Sequence, residues 1–254
     1  QMTIWQYAYK AGYAIRRIER NAYPDQARLL SAQNVKVVFD VGANRGDTIS
    51  EYRRIFPDAE IHAFEAIPHL AADLRQRFSQ DRACHVREAA VSDSVGMASF
   101  HVNSKEDTSS LLETDVSQVP DAYASIQRTR QVISVPTLSI DSYCAENGIA
   151  KIDLLKLDIQ GGELAALMGA SKMLANGNVS IVYTEVFVLP FYKDQPLLGD
   201  ICRLLGASGY LLHSLYNVSF SGTTGRCSWM DAIFVAPTLV PHSRKLLAAD
   251  VVQT

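Results

Sequence analysis

The chain has 254 residues, 48% of them hydrophobic, with a mean hydropathy of zero, enough for one large α/β domain with a full core. A formal net charge of −3 gives no electrostatic reason for a nucleic-acid or acidic-membrane partner. Cys84, Cys144, Cys202 and Cys227 are far apart with no C-x-x-C pair, no apolar run reaches transmembrane length, and the N-terminus has no signal-peptide core, so a cytoplasmic protein with reduced thiols is expected rather than one held by disulfides or zinc.

Residues 3–20 carry Ile4, Tyr7, Ala8, Ala11, Ile15 and Ile18 at helical spacing, with Lys10, Arg16, Arg17 and Arg20 interspersed. The pattern predicts a helix that packs on the domain or on a second subunit of a homo-oligomer. The alternative is a basic helix lying on a membrane or capping a substrate site. A break at Tyr23-Pro24-Asp25 and a short helix over 26–33 complete an N-terminal helical extension, residues 1–34, before the main domain, 35–254.

Residues 35–47 read VKVVFDVGANRGD: a β-branched apolar run, a turn of small residues, then a helical pattern. Strand, glycine turn and helix is how open α/β sheets build a cofactor site, because glycine lets the backbone approach the ligand and the helix start offers free N–H groups. Residues 61–65, IHAFE, predict a second strand ending in Glu65, placed to accept hydrogen bonds from the two hydroxyls of an adenosine ribose. The spacing Asp40-x-Gly42-x-Asn44-x-Gly46 departs from the dinucleotide pattern G-x-G-x-x-G. It resembles the loop that binds S-adenosylmethionine (SAM) in Rossmann-like methyltransferases, with Asn44, tolerant of left-handed backbone angles, in place of the middle glycine.

A helix over 68–80 follows, with Pro68 near its start and Leu70, Leu74 and Phe78 in register, and then a third strand over 83–90 whose small end, including Ala90, leaves room for a purine. An added strand over 97–103 leads into the long polar stretch 104–123, read as a lid or substrate loop. A strand over 131–136 and a helix over 139–147, ended by Gly148, come next. Residues 151–167, KIDLLKLDIQGGELAAL, predict a buried strand with Asp158 at its ligand-facing end and a helix from Glu163. Lys156 inside that strand needs a partner, and Glu185 or Asp158 is expected to supply it. A strand over 179–185, a loop over 189–195 that lines a pocket, a helix over 196–205, and two antiparallel strands over 209–213 and 231–236 finish a seven-stranded sheet.

Together VFDVGANRGDT, AFEAIP, AAVSDSVG, SSLL and IDLLKLDIQGGELAALMGA resemble the FkbM family of SAM-dependent methyltransferases, over about 35–235. The resemblance implies an α/β, Rossmann-like class I methyltransferase fold: a seven-stranded, mostly parallel sheet with helices on both faces. It implies SAM as cofactor and O-methylation of a small-molecule or glycan hydroxyl. The family pattern after the fourth strand is matched at Lys156, Asp158, Gly161 and Glu163, but Gln160 stands where that family usually has an acid. The candidate cofactor residues are Asp40, Gly42, Ala43, Asn44, Gly46, Glu65, Ala66, Ala90 and Asp158.

A methyl group on a sulfonium is already electrophilic, so an enzyme needs to hold the acceptor oxygen in line and take its proton. The candidate bases are Asp158, Glu185 and His213. Asp158 has a rival role, holding the ammonium of the methionine moiety. No metal spacing is present, and Mg²⁺ on Asp158 with Glu185 is the alternative. Tyr216, Phe220, Trp229 and Arg226 are candidates for the acceptor side. Two other classes stay open: a non-catalytic SAM-fold binding module, and a nucleotide-dependent oxidoreductase, which the loop spacing and the lack of a Tyr-x-x-x-Lys pair disfavour.

Overall fold

The computed structural model describes residues 21–119, 121–221 and 224–239; the helix expected over 3–20 lies outside them. Helix α1 (Ala22–Leu29) is followed by β1 (Val37–Val41), α2 (Asp47–Ile55), β2 (Glu60–Glu65), α3 (Pro68–Arg77), β3 (Cys84–Glu88), β4 (Ala90–Val91) and β5 (Gly96–Asn103). Then come α4 (Asp121–Ala124), β6 (Thr129–Leu138), α5 (Ile140–Asn147), β7 (Ile152–Leu157), α6 (Glu163–Met168), α7 (Ser171–Ala175), β8 (Val179–Phe187), α8 (Leu198–Ala207), β9 (Leu211–Phe220) and β10 (Cys227–Val235).

Seven strands form one sheet in the order β3-β2-β1-β7-β8-β10-β9, parallel except for β10, which runs antiparallel to β8 and β9. The central strands are buried on both faces, and the pleat divides their side chains between two layers. Val38, Ile61, Leu154 and Ile181 face α1, α2 and α3, together with Ile49, Tyr52 and Leu74. Phe39, Leu155 and Val182 face the other way, onto Ile140, Leu167, Leu174 and Leu205 of α5, α6, α7 and α8. Helices therefore cover both faces, as expected. Helix α1 belongs to this core, since Ala22 is buried in the first layer and Tyr216 donates a 2.8 Å bond to Asp25. It is not an appendage to the domain.

The third expected strand is split. After β3 the chain leaves the large sheet, and Ala90 and Val91 pair instead with Thr137 and Leu138 in a second sheet of order β4-β6-β5. The final pair is also longer than expected, with β9 running on to Phe220 and β10 beginning at Cys227. All four cysteines are free. Among the described residues, no helix is long and apolar enough to cross a membrane.

Candidate active site

The carboxyl ends of β1, β2 and β7 converge on one cleft. After β1 the turn is left-handed at Gly42 (φ 78°), Asn44 (φ 48°) and Gly46 (φ 84°), so Asn44 does fill a glycine-like position. A Cβ on Gly42 would lie 1.9 Å from the carbonyl oxygen of Asp158. The glycine is thus demanded by the neighbouring strand end, whatever occupies the cleft. The N–H groups of Gly42 and Ala43 both donate to Phe64 O at 3.0 Å, tying the turn to β2.

Glu65 ends β2 with its side chain directed back at this turn. Its Oε2 accepts from Asn44 N–H at 2.8 Å and its Oε1 from Ile67 N–H at 2.9 Å. Burial raises its pKa and those two donors oppose the rise. Each oxygen keeps a lone pair for a ligand hydroxyl. Beside Glu65, the Ala89–Val91 segment with Phe64, Leu70, Phe100 and Ile159 lines an apolar slot, which Ala66 also borders. A flat aromatic ligand such as a purine suits such a slot.

Lys156 pairs with Asp158, one of the two expected partners, but more closely with Asp40, which was not expected. Its Nζ lies 2.9 Å from Asp40 Oδ1 and 3.7 Å from Asp158 Oδ2, and donates to the carbonyl oxygen of Gly42 at 2.8 Å. The register explains the choice: Lys156 lies directly across from Asp40 on β1, whereas its neighbour on β8 is Tyr183 and not Glu185. Burial lowers the lysine's pKa, but Asp40 and Asp158 more than reverse this and keep it charged. Asp40 is 0% exposed. It braces the turn from beneath and does not line the cleft. Gly46 likewise packs against Leu74 of α3 and Phe78 just after it.

Asp158 does line the cleft, with its side chain 48% exposed. Glu185 lies behind it, linked through Gln160, whose Nε2 donates to Glu185 Oε2 at 2.7 Å and to Asp158 Oδ1 at 3.2 Å. The amide bridges the two carboxylates where the alternative reading placed a cation. Its Oε1 accepts from the Tyr192 hydroxyl at 3.1 Å. Burial, and then Asp158, Glu163 and Asp231, raise the pKa of Glu185 well above the carboxylate range. Glu163, at the start of α6, accepts from Ile159 N–H and Gly161 N–H at 2.9 Å each, and burial pushes it up to about 7.

His213 is not brought to the cleft. It sits in β9, the last strand of the sheet, beside the bulge where Phe234 pairs with Leu212 and Ile233 with Ser214. That level corresponds to the first half of β8, away from the carboxyl ends.

The stretch 104–123 is a packed roof. Its 3₁₀ turn Glu106–Thr108 sets Glu106 and Asp107 over the cleft, while Ser109 and Leu111 close the apolar slot. Asn103 Nδ2 donates to Thr108 O at 2.7 Å, and Ser110 Oγ to Gln160 O at 2.8 Å. Phe191 and Tyr192 of the loop over 189–195 are buried in an apolar cluster with Val119 and Phe187. They support this roof from behind and do not face a ligand. Gln160 and Tyr192 were missed as structural hubs, because their partners are dispersed in sequence. Of the three acceptor-side aromatics, Tyr216 is core, Trp229 is half-buried, and Phe220 is 61% exposed at the ligand end of β9.

A family model described as the methyltransferase FkbM domain matches residues 40–212. Among curated proteins, the 2-O-methyltransferase NoeI of Sinorhizobium fredii is 29% identical over 66% of this chain and 70% of its own length. The 31-O-demethyl-FK506 methyltransferase FkbM of Streptomyces tacrolimicus is 28% identical over 74% and 77%. The crystal structure of a methyltransferase FkbM from Methylobacillus flagellatus aligns with a TM-score of 0.50 at 13% identity. That alignment covers 89% of this chain and 50% of the solved one, and speaks to the fold.

Proposed function

The chain belongs to the FkbM methyltransferases, and from that premise we propose that it transfers a methyl group from SAM to a hydroxyl of a sugar, a glycan or a secondary metabolite. The observation that carries the placement is Glu65, buried at the end of β2 and held by two backbone donors, with a spare lone pair on each oxygen. It suits the two ribose hydroxyls, with the purine in the slot beside Ala89 and Ala90 and the methionine part running past Gly42, Ala43 and Asn44 toward Asp158. The names of both curated relatives specify transfer to oxygen, which supports a hydroxyl acceptor here.

When bound, SAM supplies an activated methyl group on a sulfonium. The chain's own contribution is position and proton management. The turn after β1, locked to β2 through Phe64 O and to β7 through Lys156, fixes one wall. The roof at Glu106 and Asp107 narrows the mouth. Asp158 is the carboxylate exposed at the reacting end, and it is assigned as the group that accepts the hydroxyl proton. Glu185 and Gln160 orient it from behind.

The test is incubation of the protein with isotope-labelled SAM and a panel of glycans and hydroxylated metabolites. A product heavier by one methylene, about 14 Da, on an oxygen is the expected result. Binding of SAM without transfer to any oxygen acceptor would favour the non-catalytic binding module.

A further inference from the structure

We propose that Glu60, His62 and His85 form a site for a divalent transition ion of the zinc class, separate from the methyl-transfer cleft. Glu60 and His62 are two apart on β2 and share one face of the sheet. His85 on β3 lies directly across from His62 in the parallel register. One ligand atom from each of the three lies within 4.8 Å of the other two, and His62 Nε2 is 3.7 Å from Glu60 Oε2. Tetrahedral zinc with bonds of about 2.0–2.1 Å places its ligand atoms about 3.3 Å apart. The exposed Glu60 needs to close in by about that difference, and the exposed His85 ring, stacked on His62 with centroids 4.8 Å apart, turns out of the stack to bring a nitrogen to the ion, while His62 stays fixed.

His62 is the second, independent observation. It is 5% exposed, and its Nε2 is buried with no hydrogen-bond partner. A buried polar atom without a partner is destabilising, and a metal bond removes that cost. Its other nitrogen, Nδ1, lies 2.9 Å from the Tyr143 hydroxyl. With Nδ1–H donating to that oxygen, the lone pair is on Nε2, which lies 3.7 Å from Glu60 Oε2; metal-ligating imidazoles are commonly oriented this way by a second partner. The same recess presents Arg87 from β3 and Glu146 from α5, one charge of each sign, so Glu60 sets its net negative character. His62 precedes Glu65 by three residues, about 10 Å of strand, so the ion would clamp the edge pair β2–β3 without entering the cleft.

The experiment uses tag-free protein stripped with a chelator, titrated with Zn²⁺ by calorimetry and with Co²⁺ by visible absorption. We expect one ion per chain, with a ligand-field spectrum for Co²⁺. Glu60→Gln and His85→Ala, both at exposed positions, are expected to weaken Zn²⁺ binding by at least about tenfold each, and Tyr143→Phe by about tenfold through the lost orientation of His62. SAM affinity is expected to be unchanged in the Glu60 and His85 variants, so failure here is distinguishable from failure of the methyltransferase reading. Absence of Zn²⁺ binding by the unmodified protein overturns the proposal, as does equal binding by the Glu60→Gln/His85→Ala double variant.

Discussion

Replacing Glu65 by alanine tests the placement of SAM most directly. Of the four lone-pair positions of the carboxylate, Asn44 N–H and Ile67 N–H take two, at 2.8 and 2.9 Å. The remaining two are assigned to the ribose hydroxyls. A hydrogen bond to a charged group contributes about 1.5–3 kcal/mol, and water entering the truncated site restores part of it. The net loss in SAM affinity is therefore about 1–3 kcal/mol, or roughly 5- to 150-fold in Kd. The same change frees two backbone donors, so the melting midpoint of the ligand-free protein has to be measured beside the calorimetric Kd. Glu65→Gln is expected to do little better than alanine, because its amide NH₂ would face a backbone N–H where a carboxylate oxygen now accepts. A Kd within about twofold of the unmodified protein, with the fold intact, would remove Glu65 from the cofactor site and refute the placement.

Gly42→Ala is expected to lower stability and SAM binding together, since the new Cβ would lie 1.9 Å from Asp158 O. Gly148→Ala, with a similar φ of 65° but open space around it, is expected to cost only the left-handed backbone term of about 1–2 kcal/mol in chemical denaturation; equal losses at the two sites would refute the clash. Glu185→Gln is expected to stabilise the protein increasingly as pH rises. An acid whose folded pKa is raised contributes stability that is full below about 4.5 and is lost as pH climbs through the raised value. Glu163, held at about 7, has the same sign, and a pH-independent difference between variant and parent in urea melts would count against this. Phe220→Ala is expected to lower acceptor turnover severalfold with SAM affinity unchanged, as measured by steady-state kinetics on the acceptor. An equal loss of SAM binding would place Phe220 outside an acceptor wall.

Much of the fold was legible because it depends on local pattern. The runs in β1, β2, β7 and β8 are uninterrupted and apolar, as doubly covered parallel strands require. The left-handed turn at Asn44 and the strand-end position of Glu65 were readable from spacing alone, since both follow from the backbone of a strand–turn–helix unit. What was not legible depends on register. Lys156 chose Asp40 because the two face each other across β1 and β7, and sequence order carries no such information. His213 was misplaced because the length of β9 could not be read: a strand starting two residues later and ending at Phe220 leaves it far from the ligand end. The stretch over 104–123 looked like a mobile lid because it is polar. Yet polar side chains within it, Thr108, Ser110 and Thr114 among them, are spent inside on backbone partners.

The two sides of the cleft are built by different means, and this bears on which of its positions can change at small cost to folding. The wall proposed for SAM rests on backbone geometry and deep packing: Gly42 against Asp158 O, Glu65 on two N–H groups, Lys156 between buried Asp40 and the turn. A substitution there breaks more than one element at once, because each group serves strand pairing as well as the ligand. The roof over the cleft instead carries side chains on an exposed surface, among them Lys105 and Asp107, paired to each other at 2.8 Å. A pair that exposed contributes at most about 1 kcal/mol to stability. The roof positions can therefore be altered at small cost to folding, whereas the turn after β1 cannot be altered without unpicking β1 from β2 and β7.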